Sequence, residues 1–299
     1  MDETLEIYKI DSTIKYWFIR SDGGQNFETY LENDFIAIGW NDITLHDLTQ
    51  IPAEQAKQKI ANVYNLPLDQ RSNRNSVTRI YNKLHNFVNL KKGDIFFIPS
   101  ENSSRLAFGE ILTNHVEVSE NVIGNCSHYK RRAVKWLTDA LPITSLDPTF
   151  FKIRKPWHAI SEISTDYQYY IDSIIHDLYQ KEDSTHFVLR VTQQNEINLV
   201  GLSKALTNLV DIMRLVNEQL SLGENIDEST IRINLQSPGL FNIKFSGSAL
   251  ALAACLLGAT GCKEKQTPQV QQQIDNIYTQ NKQHIDSSKQ EIVGMGINL

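Results

Sequence analysis

The sequence predicts an α+β protein in which a mixed β-barrel domain precedes a small β-α-β-β domain with a C-terminal apolar helix. In the first half, short apolar runs rich in strand formers alternate with turn signals, and only two helical patterns occur, at 53–64 and 76–88. Three prolines interrupt any regular pattern between Pro142 and Pro156. Beyond them the pattern changes to long helical stripes between strands, which indicates a second domain.

The elements follow from these patterns in chain order. The first half is predicted to hold strands at 16–20, 35–40, 95–98, 106–112 and 133–137. The second half is predicted to hold a helix at 163–179, a strand at 187–191, a helix at 202–220 and two strands at 231–235 and 241–245. We therefore divide the chain into a ligand-binding domain at 10–145, a linker with a helix at 146–183, an assembly domain at 184–262 and a polar tail at 263–299. The assembly domain would contain an apolar helix at 246–262.

The composition excludes two classes of protein. With 41% hydrophobic residues in 299, wholesale disorder is excluded. The net charge of −6 arises entirely after residue 160, where 10 basic residues face 16 acidic ones, so a uniformly basic coat for nucleic acid is excluded. A local basic patch is not excluded by this charge distribution.

The cysteines and the first residues indicate a cytoplasmic protein. Cys126, Cys255 and Cys262 form an odd set without CxxC spacing, which argues against a disulfide framework and a zinc site. Residues 1–6 are acidic and contain no apolar run, so we expect no secretory signal.

The sequence offers no catalytic constellation. Motifs such as HExxH, GxSxG and the P-loop do not occur. An Asp…Glu-x-Lys nuclease pattern fails because Asn198 stands where lysine should follow Glu196. We interpret His186, which begins a strand, as structural or solvent-facing. The expectation is a protein that is not an enzyme and that uses no metal and no cofactor.

Aromatic residues are interleaved with basic ones in the first half. All four tryptophans precede residue 160, and a dense basic cluster comprises Lys130, Arg131, Arg132 and Lys135. Aromatic faces stack on nucleobases and basic side chains neutralise phosphates, so this pattern is typical of nucleic-acid binding. The alternative is that the tryptophans are core residues of a small barrel.

A series of five motifs carries a family resemblance. They are YWFIRSDGG at 16–24, FIAIGW at 35–40, FVNLKKGD at 87–94, RLAFGEI at 105–111 and RRAVKW at 131–136. The series resembles the N-terminal module of some Mrr-type restriction endonucleases and related prokaryotic defence proteins. That module is similar to PUA-like barrels, akin to the EVE and YTH domains that read modified nucleobases.

The resemblance covers roughly residues 14–140 and implies a PUA-like barrel with a pocket for a base. Ser21 stands where the family commonly has Ala, and no Mrr-type nuclease domain follows, so nuclease activity is not carried over. The residues predicted to line or border the ligand cleft are Trp17, Arg20, Trp40, Asn41 and Trp136. The basic cluster at Lys130, Arg131, Arg132 and Lys135 is the predicted phosphate contact.

One uncharged segment leaves two functions open. Residues 245–262 form 18 consecutive uncharged residues, about 27 Å as a helix, just short of a membrane core. If the segment is a core or oligomer-forming helix, we expect a non-catalytic anti-phage defence protein. It would bind nucleic acid or a modified nucleotide and assemble into a homo-oligomer. The alternative is an effector whose 245–262 segment inserts into the membrane on activation.

Overall fold

A computed structural model describes residues 7–153, 160–191, 198–233, 239–259, 262 and 266–298. The chain folds as two compact units. Unit 2 comprises residues 14–168, and unit 1 comprises residues 1–13 together with 169–299. These bounds differ from the predicted division at 10–145, 146–183, 184–262 and 263–299, because the first strand and the C-terminal helix both pack within unit 1.

The elements are numbered in chain order. The strands are β1 (Lys9–Ile10), β2 (Tyr16–Ile19), β3 (Phe35–Ile38), β4 (Ile95–Pro99), β5 (Arg105–Ile111), β6 (Glu117–Val118), β7 (Lys130–Trp136), β8 (Leu141–Pro142), β9 (Ile160–Glu162), β10 (Leu178–Lys181), β11 (Ser184–Val191), β12 (Thr230–Ile233), β13 (Gly239–Phe245) and β14 (Ile297–Asn298). The α-helices are α1 (Phe27–Glu32), α2 (Leu45–Thr49), α3 (Ala53–Val63), α4 (Arg71–Val88), α5 (Phe150–Ile153), α6 (Thr165–Ile175), α7 (Leu199–Gln219), α8 (Ala249–Leu257) and α9 (Pro268–Gly294).

Unit 2 is built on a curled half-barrel sheet with strand order β3-β7-β5-β4-β2-β9. Only β2 and β4 run parallel along this path; the other described pairs are antiparallel. The apolar runs predicted as strands are buried along β2, β3 and β4. The mixed α+β class is therefore confirmed.

Helix α4 begins five residues before the predicted start at 76. Its first turn, from Arg71, is polar and carries no apolar spacing, so periodicity could not detect it. The Arg74 guanidinium donates to the carbonyls of Leu68 (2.7 Å) and Asp69 (2.8 Å), which fixes the loop against this turn. The buried stripe farther along α4 is the predicted one, with Val77 and Leu84 inside.

Unit 1 contains a sheet with strand order β1-β10-β11-β13-β12, and β14 adds to β11. One face of this sheet carries apolar side chains such as Phe187, Phe241 and Ile243, which join side chains of α7, α8 and α9 in one core. Strand β10 lies where the sequence predicted the end of a helix over 163–179. Helix α6 instead ends at Ile175, and β10 pairs with β1 and β11, a tertiary contact that overrides the local periodicity.

Helix α8 is shorter than the helix predicted at 246–262. The Glu224 carboxylate accepts hydrogen bonds from the main-chain N–H groups of Ser248 (2.7 Å) and Ala249 (2.9 Å), and so caps the helix. Gly258 ends it in a left-handed conformation. All but one of its side chains are buried in the unit 1 core. Residues 260 and 261 lie outside the described residues.

A disulfide joins Cys255 to Cys262, which the odd cysteine count did not predict. Helix α9 occupies most of the predicted polar tail. Its apolar stripe, Val270, Ile277, Ile285 and Ile292, is sparse but repeats every seven or eight residues and is buried.

Across the part of the chain that the structure describes, no helix combines the length and apolar character needed to cross a bilayer.

Two histidines of unit 1 are held between aromatic rings. His176 lies between Tyr8 (4.4 Å between ring centroids) and Tyr179 (5.7 Å), and His186 stacks on the other side of Tyr179 at 4.7 Å. Burial lowers the pKa of each histidine from 6.5 to about 4. Both imidazoles are therefore neutral at neutral pH.

Acid should destabilise unit 1 through these histidines. Between pH 6.5 and about 4 the unfolded chain binds more protons than the native state. The stability that the neutral imidazoles contribute is therefore complete above pH 6.5 and is lost as the pH falls through about 4, by about 3 kcal/mol at most for each. His176→Phe keeps a ring between Tyr8 and Tyr179 but binds no proton, so its free energy of unfolding should fall less steeply.

Circular dichroism in urea follows the long helices of unit 1, whereas tryptophan fluorescence reports unit 2 alone, because every tryptophan lies between 14 and 168. His284→Gln, at an exposed position of α9, is the matched control and should keep the parent's pH dependence. A His176→Phe protein with the parent's slope would contradict the prediction.

Candidate functional site

A cleft of about 360 Å³ opens on unit 2 where β3 ends. It is lined by Arg20, Asp22, Gly23, Ala37, Ile38, Gly39, Trp40, Lys83 and His128. Two of the predicted cleft residues, Arg20 and Trp40, are among them. Lys83 and His128 were not predicted.

Trp40 is held in an uncommon backbone conformation. Its φ is 56°, in the left-handed region that bulky side chains rarely occupy. The residue lies two positions after the end of β3, and its carbonyl accepts a hydrogen bond from the N–H of Ile43 (3.1 Å), which closes a tight turn. The indole is half-buried and faces the cleft. Such strain persists where the surrounding structure enforces it, and it is concentrated at functional sites.

Lys130 enforces this turn from within the protein. Its buried ammonium group donates to the carbonyls of Trp40 and Ile43, each at 2.9 Å. Burial lowers the pKa of Lys130 from 10.5 to about 8, against the attraction of Asp42 and Asp47. The lysine is thus charged at neutral pH and fixes the main chain beneath the Trp40 ring.

Positive charge surrounds the indole. The Lys83 ammonium lies 5.3 Å from the centroid of the Trp40 ring, within cation–π range. Burial, followed by repulsion from Arg79 and Arg20, lowers the pKa of Lys83 below its usual value. Lys83 therefore lies close enough to Arg79 and to Arg20 to be repelled by both, and an anionic ligand would relieve that repulsion.

His128 forms the opposite wall. Its Nε2 atom lies 3.8 Å from an oxygen of Asp22, and its Nδ1 atom is buried with no hydrogen-bond partner among the described residues. Burial is the largest effect and lowers the pKa of His128, so the ring is neutral at neutral pH. A Cβ atom at Gly39 would lie only 3.2 Å from Nε2, so the glycine leaves room for the imidazole.

Asn41 holds the loop that carries His128. Its amide nitrogen donates to the carbonyl of Ser127 (2.9 Å), and its oxygen accepts from the N–H of Tyr129 (3.1 Å). The side chain therefore borders the cleft as a support, with both polar atoms engaged by main chain. No feature of the sequence marked this pairing, because it joins residues 86 and 88 positions apart.

Trp17 and Trp136 lie elsewhere. The Trp17 indole is buried in the unit 2 core and donates to Asp94 (3.0 Å), which also accepts from the N–H groups of Lys15 and Lys91. Trp136 packs edge-on against Phe96 at 5.4 Å. Neither lines the cleft. Trp157 lies outside the described residues.

Most of the predicted phosphate cluster points inward. The Arg132 side chain is fully buried and donates to the carbonyls of Phe87, Val88, Thr113 and His115. Arg131 is also buried and donates to the carbonyls of His128 (3.1 Å) and Asn121. With Lys130 engaged as described above, Lys135 alone of the four is exposed. The other three are structural cations in the fold described here.

Arg132 should be irreplaceable by lysine. Its planar guanidinium serves carbonyls from α4 and from the 113–115 loop, and an ammonium group cannot reach them all. Arg132→Lys should lower the free energy of unfolding by about 3 kcal/mol, because buried carbonyls lose their donors. Guanidinium denaturation followed by tryptophan fluorescence measures the change.

Lys135→Gln on the same strand is the control, and it should change the stability by about 0.5 kcal/mol or less. If Arg132→Lys were as stable as the parent, the inward role of Arg132 would be refuted.

Residues 17–154 are similar to a protein family whose model is described as Domain of unknown function (DUF8426). No curated protein sequence matches the chain significantly. Every residue that lines the cleft falls inside the matched range. Within the described part of the chain, no group of three His, Cys, Asp or Glu residues is placed to hold a metal ion.

Proposed function

We propose that unit 2 binds a nucleobase of a nucleic acid or nucleotide in the cleft beside Trp40, without catalysing a reaction on it. The observation that carries the proposal is the Trp40 turn. A half-exposed indole is held at a positive φ by a buried lysine, and a second lysine lies over its ring. Burial of the Lys130 charge and the backbone strain at Trp40 both lower the stability of the fold, and a planar ligand stacked on the indole would offset that loss.

The chemistry of the cleft walls suits a base. The Trp40 face offers stacking, and the His128 imidazole, which lines the same cleft, offers its Nε2 atom to the edge of a base. Arg20 and Lys83 place positive charge at the same opening, where a phosphate linked to the base would lie.

A basic face on α4 favours a polymeric ligand over a free nucleotide. The helix contains no acidic residue, and Arg71, Asn75, Arg79 and Lys83 recur at intervals of four, on one side of the helix. Consecutive members are therefore about 6 Å apart along the axis, a spacing that suits successive phosphates of an extended strand. Among the described residues, neither Arg79 nor Lys83 has an acidic partner.

Cations at the start of a helix are unfavourable, which strengthens this argument. Arg71 and Arg74 lie in the first turn of α4, where the helix dipole repels positive charge. Arg74 contributes to the fold by holding the preceding loop, but Arg71 is exposed and has no such role. A phosphate backbone along α4 would account for it.

For unit 1 we propose a role in assembly. Leu199 and Val200, at the start of α7, are 78% and 75% exposed, which is unusual for adjacent apolar residues and suits contact with a second copy. The resemblance to the N-terminal modules of defence proteins supports a place for the whole chain in anti-phage defence, with a PUA-like reading of modified bases.

The Trp40→Ala variant tests the cleft. Loss of the stacking face should weaken binding of short single-stranded oligonucleotides by about one to two decades, equivalent to about 1–3 kcal/mol. Fluorescence anisotropy with labelled DNA and RNA measures the affinity, and thermal melting measures stability. Because the Trp40 side chain is only partly buried, the melting temperature should fall much less than it would for a core tryptophan.

Trp17→Phe is the matched control, since it removes a buried indole N–H from Asp94 without touching the cleft. It should lower the melting temperature and leave the affinity of the folded protein unchanged. If Trp40→Ala instead melted far below the parent and bound normally while folded, Trp40 would be a core residue and the proposal would fail.

The basic face of α4 makes a separate prediction about salt. Each phosphate contact on a single strand contributes about −0.7 to the slope of log K against log salt concentration. Arg79→Gln should therefore flatten the slope by about 0.7 between about 50 and 200 mM salt and weaken binding of all sequences alike. Lys92→Gln, an exposed turn position away from α4, should leave the slope unchanged. An equal effect of both substitutions would exclude α4 as the path of the strand.

A further inference from the structure

The sheet of unit 1 has a polar face opposite its apolar core. Asp172, Ser173, Tyr179, His186 and Asn242 are all buried between this face and α6. Five buried polar side chains in one layer are costly unless each is hydrogen-bonded, and here the bonds form a directed chain.

The chain of hydrogen bonds fixes the tautomer of His186. The Ser173 hydroxyl donates to the carbonyl of Tyr169 (2.9 Å), so its oxygen accepts from the amide nitrogen of Asn242 (3.0 Å). The Asn242 oxygen then faces Nδ1 of His186 at 3.2 Å and, as it can only accept, takes a hydrogen bond from an Nδ1–H group. Nδ1 therefore carries the hydrogen of the neutral ring, and Nε2 carries a lone pair.

Nε2 accepts no hydrogen bond from any residue that the structure describes. The ring stays neutral because burial, helped by the charges of Lys244, Lys181 and Arg232, lowers the pKa of His186 to about 4 against the opposing effect of the Asn242 hydrogen bond. Nε2 of His186 is thus a hydrogen-bond acceptor of fixed orientation that lies near positively charged side chains.

Two of those cations have no acidic partner among the described residues. Lys244 lies directly opposite His186 in the β11–β13 pair, and Arg232 lies opposite Asn242 in the β12–β13 pair, so both belong to the polar face. Both side chains are exposed. The charge of Lys181 is different, because it is matched by Asp172 at 2.7 Å.

Tyrosine rings hold Arg232 in place. Its guanidinium lies 4.5 Å from the ring centroid of Tyr169, which in turn lies 5.9 Å from the ring of His186. An arginine stacked in this way keeps the edge of its fork open for an anion.

We propose that this face of unit 1 binds a phosphate group that carries a proton. The P–O–H group donates to Nε2 of His186, and the anionic oxygens accept from Lys244 and Arg232. This arrangement uses the lone pair and both of these cations. The site belongs to unit 1 and does not depend on the function proposed for unit 2.

Phosphate and sulfate distinguish this arrangement from a general anion patch. Inorganic phosphate keeps a P–O–H group at neutral pH, whereas sulfate has no proton to donate. Isothermal titration on the full chain should show phosphate binding about tenfold or more tightly than sulfate, the value of one hydrogen bond that involves a charged group. Lys244→Gln and Arg232→Gln should each weaken phosphate binding about tenfold.

The His186→Gln variant tests the acceptor itself. The glutamine amide can donate a hydrogen bond as well as accept one, so it no longer selects an anion that carries a P–O–H group. The ratio of the phosphate affinity to the sulfate affinity should therefore fall towards one. Spectra of the parent labelled with ¹⁵N-histidine provide a readout that does not require this variant to fold. They should show the Nδ1–H tautomer for His186 and a shift of Nε2 on addition of phosphate.

Lys282→Gln, an exposed position on α9, is the control and should bind phosphate as the parent does. Equal affinity for phosphate and sulfate in the parent, an Nε2–H tautomer, or no saturable binding would each overturn the proposal. A nucleoside 5′-monophosphate and glycerol phosphate, titrated in parallel at about pH 6, where about half of each ester keeps its P–O–H group, distinguish a nucleotide from a glycerol-linked phosphate as the source.

Discussion

The ammonium group of Lys130 beneath the Trp40 turn is the interaction on which the cleft depends. It donates to two main-chain carbonyls of one turn and thereby holds a tryptophan at a positive φ. The turn presents the indole to the cleft, where Lys83 lies over its ring and Gly39 leaves space for His128. A charge taken out of water for this purpose is costly, which is why we connect the turn with function.

The sequence predicted part of the cleft, for reasons that can be stated. Arg20 directly follows β2 and Trp40 lies two residues after β3, and residues at strand ends reach the rim of a sheet. Trp17 is likewise an aromatic residue close to basic ones in the sequence. However, it lies within a strand, and its indole N–H donates to Asp94 inside the protein. Lys83 was missed because only the packing of α4 brings it to Trp40, and one sequence holds no signal of such a contact.

Basic residues were misleading for a similar reason. Arg132 and Lys135 look equivalent in the sequence, yet alternation along β7 places one inside and the other in solvent. The interior of unit 2 accepts the buried guanidinium because carbonyls of α4 and of the 113–115 loop accept its hydrogen bonds. The α+β class and most strands of unit 2 could be predicted from short apolar runs. The strand at Leu178–Lys181 could not, since its apolar spacing also fits a helix and its partners are distant in sequence.

The order of the strands constrains how the chain can fold during synthesis. Unit 2 is continuous in sequence, whereas the sheet of unit 1 takes β1 from before it and β10 to β14 from after it. Unit 2 can thus fold during synthesis while β1 is still unpaired, because its partner β10 has not yet been synthesised. The sheet closes only when residues 297–298 have emerged and β14 pairs with β11. A chain truncated after residue 168 would therefore carry the cleft of unit 2 together with an unpaired β1, an exposed edge that chaperones rather than unit 1 must protect.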